Sequence, residues 1–169
     1  LASPVFTGNV GVGVTPETDW HSNWSAVQIG NSSFASTSNN DQTYFSFNAR
    51  STTGSSNTGN KYITNGEKAS QYLQASGNHL FKIAAAGTAD AAISWTTAMT
   101  IDNSSNVLVG KTTTALATAG LTFGSTGFAS ITRDGYEPLS LNRLTSGGDI
   151  AKFYKDGTAV GSIGVNASA

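Results

Sequence analysis

Apolar and polar residues alternate with a period of two along most of this chain. Ile93, Trp95, Thr97, Met99 and Ile101 interleave with Ser94, Thr96, Ala98, Thr100 and Asp102. This predicts a half-buried strand whose core side carries Met99 and Ile101, because successive side chains of a strand point to opposite faces. The same period marks Ser25–Ile29, Thr43–Ala49, Lys61–Thr64, Ala69–Ala75 and His79–Ala84, with turn residues such as Asn65-Gly66 and Ser76-Gly77-Asn78 between them. The expected product is a series of hairpins. Gly30 to Asn40 is small and polar and reads as a loop. Arg50 to Asn60 is low in complexity, lacks an apolar anchor and predicts a mobile exposed loop.

Phe128 to Val165 shows the pattern again. Asp134-Gly135, Ser146-Gly147-Gly148-Asp149 and Asp156-Gly157 divide it into four short runs. Asp-Gly and Gly-Gly tolerate the positive φ values of two-residue hairpin turns. Leu139, Leu141 and Arg143 alternate with Ser140, Asn142 and Leu144, so a β-meander is expected.

Two short elements repeat. Asn9-Val10-Gly11-Val12-Gly13 aligns with Asn106-Val107-Leu108-Val109-Gly110, and Thr-rich sequence follows each. Glycine alternating with valine predicts a strand that another backbone approaches closely. Ala115–Thr126 is the one stretch where a helical turn is conceivable, and Gly120 and Gly124 make it a poor helix.

Composition narrows the class. Charged residues are 11% and apolar residues 38% of the chain, with 19 Gly and roughly a quarter Ser and Thr. That mixture favours turn-rich β structure over a helical bundle. The net charge is −1 and the nine basic residues are scattered, which argues against nucleic acid or an anionic lipid surface as partner. There is no Cys, so disulfides and Cys-ligated metal are excluded. No signal peptide or membrane span is read. The chain begins at LASPVF without Met and is expected to be a fragment or processed product.

Three segments carry a resemblance. PLSLNR, a Gly-rich turn and then GDIAKFYKDGTAVGSIGV resembles the C-terminal end of bacteriophage tail-fibre proteins, ahead of a self-cleaving intramolecular chaperone. NVGVG-T-P, and AAISWTTAMTID followed by NVLVG, are similar to other stretches of such fibres. The resemblance implies an all-β, intertwined homotrimeric fibre, joined to the rest of the tail fibre. It would be assembled in the host cytoplasm, act extracellularly as part of the virion, and bind a host cell-surface glycan or other receptor. The expected organisation is a β shaft start over 1–14, a β-rich head over 15–102, a connecting strand and linker over 103–127, and a C-terminal β-meander over 128–169.

Candidate chemistry is sparse. His21 and His79 are the two histidines, no G-x-S-x-G elbow marks a nucleophile, and no metal-ligand spacing occurs. Neither an enzyme nor a cofactor is expected. Glu17 and Asp19 beside Trp20 leave open a glycan-cleaving spike, since such enzymes use paired carboxylates. A purely structural spacer and a non-viral trimeric adhesin are also open. The expected receptor-binding set is Trp20, His21, Tyr44, Tyr62 and Tyr72, because aromatic faces stack on sugar C–H groups while nearby amides and hydroxyls bond sugar hydroxyls. Trp24 and Trp95 read as core.

Overall fold

The structure, a computed structural model, describes residues 6–37, 41–52 and 59–166. All fourteen elements among them are strands. They are β1 (Val10–Val12), β2 (Trp24–Ile29), β3 (Ser32–Thr37), β4 (Gln42–Phe47), β5 (Arg50–Ser51), β6 (Asn60–Lys61) and β7 (Ala69–Ala75). Then follow β8 (Asn78–Ala84), β9 (Thr96–Ile101), β10 (Val107–Val109), β11 (Gly120–Phe123), β12 (Ala129–Thr132), β13 (Gly148–Lys155) and β14 (Thr158–Val165).

The chain divides into two compact units, Leu1–Thr132 and Arg133–Ala169. The first contains one ten-stranded sheet in the order β1-β2-β3-β4-β7-β8-β9-β10-β11-β12, with β5 and β6 paired outside it. Every ladder in the large sheet is antiparallel except β1 with β2. The segments read as shaft start (1–14) and connecting strand (103–127) both supply strands to this sheet. In the second unit β13 and β14 form a hairpin.

Turn chemistry accounts for several of these joints. Ser76 (φ 50°) and Gly77 (φ 77°) connect β7 to β8, and Asp156 (φ 49°) and Gly157 (φ 78°) connect β13 to β14. Positive φ at both central residues defines the type I′ turn, whose twist matches that of the strands it joins. The two NV-x-V-G elements also fold alike. Gly13 (φ 71°) and Gly110 (φ 72°) end their strands in the left-handed region. Asn9 Oδ1 accepts from the Ala26 N–H at 3.1 Å, and Asn106 Oδ1 from the Ser125 N–H at 3.0 Å. The close approach expected at Gly11 comes from its own chain: a Cβ there would lie 2.0 Å from the Val14 carbonyl oxygen and 2.7 Å from the Pro16 ring.

Four expectations are corrected. Gly30–Asn40 is not all loop, since Ser32–Thr37 forms β3 between β2 and β4. Its Ser and Ala suit a face on which other chain packs tightly, and Gly30 at φ 58° turns the chain into it. The feet of the Arg50–Asn60 segment are buried rather than exposed, with Arg50 and Ser51 paired to Lys61 and Asn60; 53–58 lie outside the described residues. The strand expected over Lys61–Thr64 ends at Lys61. The four-run meander reduces to β12, which joins the large sheet, and the β13–β14 hairpin. No strand forms between Arg133 and Gly147: Leu139, Leu141 and Leu144 are exposed and have no partner strand to lie against.

Candidate functional site

The two faces of the large sheet differ sharply. On one, Ala26, Ala35, Tyr44, Leu73 and Leu80 stand opposite one another across β2, β3, β4, β7 and β8. Trp20 and Trp24 join them in the core, and the Trp24 and Tyr44 rings lie 4.7 Å apart. Thr100, Leu108 and Thr122 continue this buried row through β9, β10 and β11. Burial pushes the Tyr44 phenol well above its ordinary pKa.

Beside that core runs a buried polar layer with made hydrogen bonds. Ser33 Oγ donates to the Ala49 carbonyl at 2.8 Å, and Gln71 Nε2 donates to Ser46 Oγ at 3.1 Å. Asn48, fully buried at φ 53°, joins the sheet to the chain at 63–68. Its Oδ1 accepts from the N–H groups of Ile63 (3.1 Å) and Thr64 (2.7 Å), while its Nδ2 donates to the Glu67 carbonyl at 3.0 Å.

Arg50 is the largest fully buried side chain among the described residues. Its Nε donates to Asp19 Oδ1 at 2.7 Å, Nη1 to the Tyr62 carbonyl at 2.8 Å, and Nη2 to Asp90 Oδ1. Glu17 stands 3.9 Å away. Glu17 and Asp19, the pair that left glycan cleavage open, both therefore face a guanidinium. The Arg50 hydrogen bond holds the Asp19 carboxyl below its usual value, against the opposing effect of partial burial and with help from Lys61. A depressed folded-state pKa contributes stability above about pH 4, the unfolded carboxylate value, and that contribution disappears as pH falls through the folded value. Thermal unfolding between pH 7 and pH 2.5 should thus show a loss below about pH 4. Asp19→Asn should lower the melting temperature at pH 7 and reduce the acid loss without abolishing it, since Asn106 similarly depresses Asp102. A variant as acid-sensitive as the parent would remove Asp19 from this role.

The opposite face is open. Val27, Phe34, Phe45, Tyr72, Phe81 and Met99 are directly paired from β2 to β9. Val10 extends the row at one end, and Val109, Leu121 and Ile131 at the other, so it crosses all ten strands. Phe34 and Phe45 have centroids 4.7 Å apart, Tyr72 and Phe81 5.0 Å. A parallel row holds Ile29, Phe47 and Ile83, between which Ser32 and Ser70 stand. Together they line a groove of about 610 Å³. On the other flank a polar strip runs through Ser25, Ser36, Thr43, Gln74 and His79. None of these three rows carries an Asp, Glu, Lys or Arg between β1 and β12. The side of β9 predicted to be its core side is on this face, with Met99 in the apolar row and Thr100 on the covered side.

The five expected receptor-binding residues are dispersed. Trp20, Tyr44 and Tyr62 are buried, and the Tyr62 hydroxyl donates to the Ala85 carbonyl at 2.7 Å. His21 Nδ1 accepts from the Asn23 N–H at 3.1 Å in the turn before β2. Tyr72 alone presents its ring on the open face, where it stacks against Phe81 and His79 and its hydroxyl is hydrogen-bonded to His79 Nδ1. Trp24 is core as expected, whereas Trp95 is half-buried and precedes β9. Phe34, Phe45, Phe47 and Phe81 were not anticipated as site residues. The signal for them was in the alternation, since Phe45 and Phe47 are opposite in phase to Tyr44.

No group of three or more His, Cys, Asp or Glu suited to a metal ion occurs among the described residues. No protein-family model, curated protein or solved structure matches this chain.

Proposed function

We propose that the chain is a segment of a bacteriophage tail fibre, a homotrimeric structural protein of the virion that displays a region binding a host-surface glycan. The observation that best supports assembly is the placement of the apolar rows. A water-soluble sheet with one covered face normally turns its large apolar residues toward that cover; here Phe34, Phe45, Phe47, Phe81, Ile29 and Ile83 are on the uncovered side, each at least 40% exposed. A fibre made of several copies gives such a face something to pack against. The glycan-binding region is the polar strip at the margin of that face, where Thr43, Gln74 and His79 combine hydroxyl, amide and imidazole groups and the Tyr72 hydroxyl reaches His79 from the neighbouring apolar row.

The burial of Trp20, Tyr44 and Tyr62 favours a second reading, a structural spacer whose recognition lies elsewhere in the full protein. One set of measurements separates the two. Light scattering should give three times the 17.3 kDa chain mass, and a stable 17.3 kDa species would reject the trimer. On a glycan array, His79→Ala and Gln74→Ala should weaken binding about tenfold, equivalent to about 1.4 kcal/mol. Trimers that bind no glycan, or that bind equally well in both variants, would decide for the spacer.

A further inference from the structure

We infer that the two apolar rows of the open face, one through Phe45 and Phe81 and the other through Phe47 and Ile83, are the surface through which copies of this chain pack against one another. The inference rests on the proposed assembly and names the part of the molecule that makes it.

Size points to this occupant. An aromatic side chain can bury roughly 150–250 Å², and the exposed parts of the Phe, Ile and Val side chains in these rows leave on the order of 700–800 Å² of apolar surface uncovered. The largest apolar patch on a typical monomer is about 300–600 Å², whereas a stable interface buries about 800 Å² per partner. The patch is therefore large for a free surface and of the right size for a protein interface.

Shape and charge select a copy of the same chain. The longer row is continuous across ten strands, which is far wider than a single added peptide or helix requires. A broad sheet face is matched by another sheet face, with side chains interdigitating about 10 Å between backbones. The rows carry no charged residue, so they offer nothing to select a partner of opposite sign, and like faces can meet without burying unpaired charge. Ser32 and Ser70 alternate with Phe47 and Ile83, leaving recesses into which a ring from a facing copy fits. Three such faces can turn toward one axis, each packing against both of its neighbours, and the ring of contacts then closes.

The natural chain has no Cys, so a single introduced thiol reports the state of this surface. The Phe45→Cys variant should react with a maleimide at least tenfold more slowly in the assembled protein than after dissociation by dilution. Leu116→Cys should react rapidly in both, because Leu116 is 68% exposed and lies off the rows. Phe45→Glu and Phe81→Glu should shift the mass toward 17.3 kDa with unchanged far-ultraviolet circular dichroism, and Leu116→Glu should keep the mass of the parent. An assembled Phe45→Cys protein whose thiol reacts freely, or glutamate variants that stay assembled, would overturn this inference and leave the assembly itself standing. Protection of that thiol in a 17.3 kDa species would overturn it too, since the cover would then come from within one chain. A monomeric parent, with the thiol at position 45 reactive at every concentration, would defeat both.

Discussion

Asn48→Ala is expected to cost about 3–4 kcal/mol, the largest effect of any single substitution proposed for this chain. Asn48 is wholly inaccessible to solvent. Its amide bonds the Ile63 and Thr64 N–H groups and the Glu67 carbonyl, with longer bonds to the Thr64 and Lys68 carbonyls at 3.4 Å, all on the chain that closes over the sheet. Alanine leaves the Ile63 and Thr64 N–H groups and the Glu67 carbonyl without their acceptor and donor. An unsatisfied buried polar group costs about 1–3 kcal/mol. The backbone adds a smaller term, because φ 53° is about 1–2 kcal/mol less comfortable for a residue with a Cβ that cannot hydrogen-bond locally. Asn48→Gly separates the two: it loses the same hydrogen bonds and should be about 1 kcal/mol less damaging than Asn48→Ala. Urea unfolding at one fixed protein concentration reads both, since association would otherwise shift the midpoint. A loss below about 1 kcal/mol for the alanine variant would show that the amide's partners find water instead.

Arg50→Met should cost about 2–3 kcal/mol. Breaking a fully buried ion pair costs about 3–5 kcal/mol, but Asp19 and Asp90 are 41% and 73% exposed and keep part of their hydration, so the lower figure applies. What is lost is the joint itself: one planar guanidinium ties 19, 62 and 90 together, and leaves two carboxylates and the Tyr62 carbonyl behind when removed. Arg50→Lys should recover less than half, because an ammonium cannot reproduce the fork that reaches Asp19 through Nε and Nη2. Combining Arg50→Met with Asp90→Asn should be less damaging than the two single losses added, the sign expected for directly interacting groups. Strict additivity in that cycle would mean that Asp90 is not a partner in solution.

Alternation along the chain was enough to make the protein all-β, to place β2, β4, β7 and β8, and to locate the Ser76-Gly77 and Asp156-Gly157 turns. A period of two divides a strand into two faces without saying which one other parts of the chain will cover. Here the covered face sets small residues, Ala26, Ala35, Ser33 and Ser46, among Trp24, Tyr44 and Leu73, and these small residues admit Trp20 and the chain at Ala49 at close range. The larger Phe and Ile residues are left on the far side. Tyr44, expected at the binding surface, lies one position out of phase with the open face, and its neighbour Phe45 is the residue in the open. The same logic hid β3, whose single large residue, Phe34, belongs to the open row. Arg50 and Asn48 gave no local signal, because their partners lie 12 to 40 positions away.

The order of strands in the large sheet follows the order of the chain, interrupted only where β5 and β6 form a separate pair. Each strand from β2 to β12 thus finds its neighbour among recently synthesised residues, and sheets built from such near-neighbour pairings form quickly relative to those that wait for distant strands. On the ribosome, β2, β3 and β4 can already place Val27, Phe34 and Phe45 side by side while β12 has yet to be made. The aromatic row therefore grows outward with synthesis, and nascent chains on one message carry partly finished apolar faces close together before any is released. For the assembly proposed above, timing then matters, because neighbouring nascent chains would be both the nearest partners and the nearest source of aggregation.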